Sequence, residues 1–142
     1  SLSRFLQSCK TSVAQSSAQL AKLAYVVGNE SADLDSCISA LSYAFLQSQL
    51  KPDTRFAQCI PVVNVPRADV RLRAELLHLC NSVGLNTNNL ICRDEISPFL
   101  QELDVRLPFR GPQLTLSILD HNHFKVEGID ASEIKVLGVV DH

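Results

Sequence analysis

Apolar residues along this chain follow two spacings, one typical of amphipathic helices and one typical of short buried strands. Loose helical spacing at the N-terminus predicts a helix over roughly the first twenty residues. A second predicted helix runs from Leu34 to about Gln49, with apolar steps of four, three and four residues, and Ser31 or Asp33 can cap it. A third runs from Val70 to Val83 and ends at Gly84.

Short apolar runs separate these helices and are bounded by glycine, proline or polar turn residues, which is typical of strands. Because strands alternate with helices, the order of elements predicts an α/β fold, a doubly wound and mainly parallel sheet with helices on both faces. The predicted strands are Leu23 to Val27, Cys59 to Val65, Leu90 to Cys92, Leu114 to Leu119 and Val136 to Val140.

Length and composition narrow the class of protein. The 142 residues suit one domain, and 46% hydrophobic residues with a mean hydropathy of +0.09 exclude a largely disordered chain. The net charge of -2 gives no broad basic field for a nucleic-acid duplex or an anionic membrane. No apolar stretch reaches the roughly 20 residues that span a bilayer, and no secretory signal opens the sequence. We therefore expect a cytoplasmic protein.

The five cysteines are an odd number without a C-x-x-C pair, which favours reduced thiols in a protein core. Only Cys92, beside Arg93, comes near the positive setting that a nucleophilic thiol needs, and core packing explains it better. The sequence also has no glycine-rich phosphate loop and no G-x-S-x-G nucleophile elbow.

Acidic residues follow the predicted strands, where ligands bind in a doubly wound sheet. Carboxylates gathered there would repel one another unless a cation neutralises them. Carboxylates with one or two imidazoles and no thiolate suit a pair of Mg²⁺ or Mn²⁺ ions. Helix capping explains any single aspartate better, but it explains the whole set less well. The set comprises Asp33, Asp35, Asp94, Asp120, His121, Asn122, Asp141 and His142.

A cluster of arginines follows the second predicted strand. Arg67, Arg71 and Arg73 lie within seven positions, and guanidinium groups match phosphate oxygens well. The alternative is a solvated helix face with salt bridges to nearby acids. His123, next to the acidic set, is a candidate proton donor or substrate contact, with a purely structural role as its alternative.

Five segments resemble the motifs of the DHH phosphoesterase superfamily, and within it the eukaryotic exopolyphosphatase and prune branch. The resemblance implies a DHH domain that hydrolyses inorganic polyphosphate or a short phosphoanhydride. It also implies two Mg²⁺ or Mn²⁺ ions and an activated hydroxide that attacks the terminal phosphorus. The segments are VVGNESADLDSCISALSYAF, IPVVNVPRADVRLR, LICRDE, LSILDHN and VVDH.

The resemblance also implies individual roles. Asp94 would bridge the two ions, and Asn29, where related inorganic pyrophosphatases have His, implies a preference for longer substrates. The third motif is Asp120-His121-Asn122 instead of Asp-His-His, so Asn122 stands where a substrate-contacting His is expected. The implied metal ligands are Asn29, Asp33, Asp35, Asp94, His121 and Asp141, and the implied catalytic residues are Asp94, Asp120 and His121. The candidate substrate contacts are Asn122, from the third motif, and Arg67, Arg71, Arg73 and His123, from their chemistry and position.

Enzymes of this branch carry a second, C-terminal domain with basic substrate-binding residues, to which nothing here corresponds. We therefore expect residues 1–142 to be the catalytic N-terminal domain alone and a poor catalyst by itself. Two other functions remain open at this point. One is a phosphodiesterase that cuts cyclic nucleotides, and the other is a catalytically silent, prune-like interaction domain.

Overall fold

The computed structural model describes residues 1–15, 23–29, 31–50 and 58–96, and the backbone of two later strands, 114–119 and 134–140. No helix in these segments is both long and apolar enough to cross a bilayer. The elements in chain order are α1 (Leu2–Ala14), β1 (Leu23–Val27), α2 (Leu34–Gln49), β2 (Gln58–Val62), a 3₁₀ helix (Arg67–Leu72), α3 (Ala74–Ser82), a 3₁₀ turn (Thr87–Asn89), β3 (Leu114–Leu119) and β4 (Ile134–Val140).

The sheet has the strand order β2-β1-β3-β4, and all three pairings are parallel. This confirms the predicted α/β class. After β2 the chain crosses to the other side of β1, so the direction of winding reverses between β1 and β3. In doubly wound sheets, ligands bind at this switch point, beyond the carboxyl ends of the strands. The residues that follow Val27 therefore enter the crevice where a site is expected.

The core fixes the position of β1. All five residues of this strand are buried, as expected for a parallel strand whose two faces are both covered. Helix α2 packs on β1 and β2, and α1 packs on β2. Phe5 of α1 and Phe45 of α2 meet edge to face with ring centroids 5.5 Å apart. The strand that leads into the crevice is thus held by α2, which in turn contacts α1.

Two predicted elements end elsewhere in the structure. The first helix ends at Ala14 instead of near residue 20, because Gln15 adopts an extended backbone. The second strand ends at Val62, and Val63 then makes a single parallel bridge with Cys92. That bridge is all that the described residues retain of the strand predicted at Leu90 to Cys92, and it places Asp94 just beyond the carboxyl end of β2.

The predicted helix from Val70 to Val83 is broken at Arg73, where φ is -97° and ψ is 67°. Val70 and Leu76 are both buried, but a continuous α-helix would place them about 120° apart. The break lets both side chains reach the core and leaves Leu72 66% exposed. The end of this helix is as predicted. Gly84 has a φ of +69°, and the Leu85 N–H donates to the Cys80 carbonyl at 2.8 Å.

The cysteines are free thiols, four of them buried and Cys59 half-buried. The burial of four cysteines confirms their predicted place in the core. Burial is the main cause that raises the pKa of Cys92 to about 12. At neutral pH this thiol is protonated, which suits core packing and does not suit a nucleophile.

Candidate metal and phosphate site

The structure describes about half of the predicted site. Every predicted site residue from Asn29 to Asp94 has a defined place, and the later ones lie outside the described residues. The described site residues are Asn29, Asp33, Asp35, Arg67, Arg71, Arg73 and Asp94. The predicted residues outside the described part are Asp120, His121, Asn122, His123, Asp141 and His142.

The first motif begins where β1 meets the start of α2. The backbone N–H of Asn29 donates to Ser36 Oγ at 2.7 Å, and Ser36 is buried. A Cβ on Gly28 would lie 2.1 Å from that Oγ atom, so only glycine fits this approach. Asn64, just after β2, donates from Nδ2 to the Gly28 carbonyl at 3.0 Å and ties the two strand ends together.

Asn29 organises the tight turn that follows. Its Oδ1 atom accepts from the Ala32 N–H at 3.1 Å and lies 2.6 Å from Ser31 Oγ. Ala32 has a φ of +47°, a left-handed conformation that residues other than glycine seldom adopt. The Oδ1 atom thus has two close donors in the turn, and it shares the single hydroxyl hydrogen of Ser31 with Asp33 Oδ2. The role of Asn29 as a metal ligand stays a prediction, and binding a cation through Oδ1 would displace one of these contacts.

Asp33 is the N-cap of α2, as one of the two predicted capping residues. Its Oδ1 atom accepts from the Ser36 N–H at 3.3 Å, and its Oδ2 atom lies 3.0 Å from Ser31 Oγ. Desolvation alone would raise the pKa of Asp33, but hydrogen bonds from Ser31, with Asp35 and from the Ser36 N–H outweigh it and lower that pKa. Asp33 is therefore ionised at neutral pH, and it is exposed, as is Asp35.

A cleft of about 330 Å³ separates the start of α2 from the junction between the 3₁₀ helix and α3. Asp33 lines one side of the cleft, and Arg73 lines the other. Burial raises the pKa of Cys37 to about 11. The charge of Asp33 adds to this rise, and the charge of Arg73 opposes it. Arg73 Nε is buried and has no hydrogen-bond acceptor among the described residues. The cleft is thus lined by the carboxylates of Asp33 and Glu75 and by the Arg73 guanidinium.

The three arginines of the predicted cluster have different surroundings. Arg73 lies at the cleft, whereas Arg71 is exposed on the 3₁₀ helix. The Arg67 guanidinium binds within the protein: it donates to the carbonyls of Thr87, at 3.2 Å, and Leu90, and to Glu95 Oε2 at 2.6 Å. Substrate binding stays a prediction for all three, and Arg73 is best placed for it.

Asp94 lies on the other side of β2 from β1. Its Oδ1 atom accepts a hydrogen bond of 3.0 Å from the Arg67 N–H, and the side chain is exposed. The next residue, Glu95, was not singled out by sequence reasoning. Its Oε2 atom accepts from the Cys92 N–H at 2.7 Å, and its Oε1 atom pairs with Lys10. The signal was present: residues 93–96 are helical, and Glu95 stands three residues after Cys92, which caps their start, as in a capping box.

The donor types of the described residues fit a hard divalent cation. Asp33, Asp35 and Asp94 offer carboxylate oxygens, which Mg²⁺ and Mn²⁺ prefer. The lowered pKa keeps Asp33 deprotonated, as a metal ligand must be. No group of three or more His, Cys, Asp or Glu side chains comes together for a metal within the described segments. Two of the six predicted ligands, His121 and Asp141, lie outside those segments. The metal site itself stays a prediction.

Several known proteins are similar to this chain over most of its length. It is 34% identical to the putative exopolyphosphatase of Schizosaccharomyces pombe over 118 residues. This match covers 83% of this chain and 28% of that protein. It is 34% identical over 139 residues to exopolyphosphatase PRUNE1 of Homo sapiens, 97% of this chain and 27% of that protein. For exopolyphosphatase PRUNE1 of Bos taurus, the identity is 32% over 142 residues, 99% of this chain and 28% of that protein. The chain thus spans little more than a quarter of each relative, and no family model matches it.

Proposed function

The chain belongs to the prune-like branch of the DHH phosphoesterases, and on that premise we propose that it is the metal-binding part of an exopolyphosphatase. In this proposal the protein hydrolyses the terminal phosphoanhydride bond of inorganic polyphosphate. The names of the relatives support a phosphohydrolase, and the cleft between α2 and α3 supports an anionic substrate.

One observation carries the proposal: the Asp33 carboxylate and the Arg73 guanidinium line the same cleft, directly after β1 in a doubly wound sheet. Arg73 makes no ion pair with any described residue, so the positive charge that it brings to the cleft favours an anionic ligand. Phosphate oxygens are strong acceptors and match a guanidinium. A carboxylate facing the same ligand needs a cation between them, which agrees with the predicted metal site.

The residues divide the task between them. Two divalent cations, when bound, would activate a water molecule and neutralise the charge that develops on the leaving phosphate. Asp33, held ionised and oriented by the turn, would offer a carboxylate oxygen to one cation, and Asp35 and Asp94 would offer others. Arg73 would hold a substrate phosphate. By resemblance, Asn29, His121 and Asp141 complete the cation site. Asp120 is a catalytic residue, and Asn122 and His123 contact the substrate.

The proposal is tested by phosphate release from inorganic polyphosphate with Mg²⁺ or Mn²⁺ in the full-length protein. Arg73→Ala should raise KM about tenfold or more, because it removes a charge-assisted contact to phosphate. Arg4→Ala is the matched control, since Arg4 is an exposed arginine on α1, and it should leave KM unchanged.

Two results would contradict the proposal. Hydrolysis of cyclic nucleotides without release of phosphate from polyphosphate would show a phosphodiesterase. Tight Mn²⁺ binding without hydrolysis of either substrate would show a catalytically silent interaction domain.

A further inference from the structure

The carboxylate of Asp94 is oriented by the main chain of a distant segment. Its Oδ1 atom accepts a 3.0 Å hydrogen bond from the backbone N–H of Arg67, 27 residues away in sequence. Its Oδ2 atom accepts no hydrogen bond from any described residue, and the side chain is exposed. One oxygen therefore fixes the carboxylate, and the other stays available to a ligand.

The side chain of Arg67 holds its own backbone in place. Its guanidinium donates to the Thr87 and Leu90 carbonyls and to the Glu95 carboxylate, and so ties the start of the 3₁₀ helix to the segment that leads to Asp94. A guanidinium bound to two carbonyls and a carboxylate has few donors left for a phosphate. These contacts indicate a structural task instead of a substrate contact.

Glu95 completes the arrangement from the other side of Asp94. Its carboxylate accepts from the Cys92 N–H and from Arg67, and it pairs with Lys10 of α1. The side chains of Lys10, Arg67 and Glu95 are 33%, 34% and 27% exposed, so water screens these ion pairs less than fully exposed ones. The backbone of residue 95 is thereby fixed relative to both α1 and the 3₁₀ helix.

The residue before Asp94 is pinned as well. The backbone N–H of Arg93 points at two carbonyls just beyond β2, with distances of 3.1 Å to Val63 and 3.2 Å to Val65. Asp94 is therefore bracketed by a backbone contact to the sheet on one side and by the Glu95 carboxylate on the other. Its own carboxylate is then directed by the Arg67 N–H.

From this geometry we infer that Arg67 and Glu95 are positioning residues that hold Asp94 ready for a divalent cation. The inference rests on the proposed function in one respect, that Asp94 is a cation ligand. Removal of a group that orients a metal-ligating side chain commonly lowers metal affinity by about 10- to 100-fold. Neither residue needs to touch the substrate or the cation.

The test compares Arg67→Met, which keeps the backbone N–H but removes the guanidinium, with Glu95→Gln, which keeps the shape but removes the charge. Arg4→Met is the matched control. The first measurement, without metal, is hydrogen exchange of the backbone amide at position 67, with Asp94→Ala as the reference for complete loss of its acceptor. The second is Mn²⁺ affinity by calorimetry, on variants whose far-UV circular dichroism matches the parent.

Both variants should increase exchange at position 67 by about tenfold toward the Asp94→Ala rate, and should weaken Mn²⁺ binding by about tenfold or more. Arg4→Met should change neither quantity. If Arg67→Met does not fold, Glu95→Gln decides the question.

Three outcomes overturn the inference. One is a lower melting temperature with unchanged exchange and unchanged Mn²⁺ affinity, which would show a structural role only. Another is a raised KM for polyphosphate with unchanged Mn²⁺ affinity, which would show that Arg67 contacts the substrate. The third arises if the parent protein binds no Mn²⁺ and neither variant changes the exchange rate at position 67. Absence of Mn²⁺ binding in the parent overturns the proposed function separately, and the exchange rates still decide whether Arg67 and Glu95 fix Asp94.

Discussion

Gly28 and Ser36 approach so closely that a Cβ atom on Gly28 would lie 2.1 Å from Ser36 Oγ and 2.9 Å from the Ser36 carbonyl oxygen. This contact joins the end of β1 to the first turn of α2. It allows the Asn29 N–H to reach Ser36 Oγ and sets the direction of the turn that carries Asn29 and Asp33. The geometry of the first motif therefore depends on the absence of one side chain.

We expect Gly28→Ala to lower the free energy of unfolding by about 1–3 kcal/mol, because the backbone must move to admit the methyl group. Mn²⁺ affinity should fall with it, since the turn shifts. Urea denaturation and calorimetry measure the two effects. Gly84→Ala is the control: that glycine has a positive φ but open space around it, so it should cost only about 1 kcal/mol and leave Mn²⁺ binding unchanged. Equal stability of Gly28→Ala and the parent would contradict the contact.

The contacts of Glu95 with Lys10, Arg67 and the Cys92 N–H predict that the free energy of unfolding depends on pH. Desolvation acts to raise the pKa of Glu95, but the contacts with Lys10, the Cys92 N–H and Arg67 outweigh it and hold that pKa below the usual 4.5. A carboxyl whose pKa is lower in the folded chain stabilises the fold above its unfolded pKa, and this stabilisation disappears as the pH falls through the folded pKa.

Metal-free parent and Glu95→Gln should therefore differ most above pH 4.5 and converge at more acidic pH. The difference at neutral pH should be on the order of 1 kcal/mol, since the group is partly solvated and screened. Urea denaturation at a series of pH values measures it. A difference that stays constant into the acid range would show that the charge of Glu95 contributes nothing.

Asp94 should matter for both cations if it bridges them. We expect Asp94→Ala to reduce the Mn²⁺ stoichiometry measured by calorimetry from two ions to at most one, whereas Asp35→Ala should weaken binding of one ion. Because Asp94 is exposed and its carboxylate has one described hydrogen bond, the fold should lose only about 1 kcal/mol or slightly more. Two ions bound with parental affinity by Asp94→Ala would exclude a bridging role.

Asn29 gives a prediction in which stability and metal affinity move in opposite directions. Asn29→His should tighten Mn²⁺ binding, because an imidazole is a stronger ligand than a neutral amide, and should shift substrate preference toward pyrophosphate. It should also lower the free energy of unfolding by about 1 kcal/mol, since the Ala32 N–H loses its side-chain acceptor. Asn29→Ala controls for that loss and should not tighten binding. Unchanged affinity and unchanged chain-length preference would count against the branch assignment.

Local patterns predicted the elements around the first motif well. Strand β1 and helix α2 have the predicted bounds. Asp33 caps the start of α2, and Gly84 follows the end of α3, as expected. Capping and apolar periodicity act within a few residues of sequence, so a short window contains the whole signal. The first motif could therefore be placed at the end of a strand and the start of a helix without any structure.

The surroundings of the arginines could not be predicted in the same way. Their close spacing suggested one shared role, but the break at Arg73 turns the chain, and Arg67 is bound within the protein. The break occurs because Val70 and Leu76 both have to reach the core, which is a requirement of packing and not of helical propensity. Local spacing carries no information about that requirement.

The sequence by itself determined the alternation of strands and helices, the acidic motifs at the strand ends and their resemblance to the DHH phosphoesterases, because each depends on neighbouring residues. Only the tertiary structure decided that Arg73 shares a cleft with Asp33, and that Lys10 meets Glu95 across 85 positions of the chain. Those relationships arise when distant segments pack on one sheet. Burial of the core sets which charged groups meet, and no pattern within a single segment specifies it.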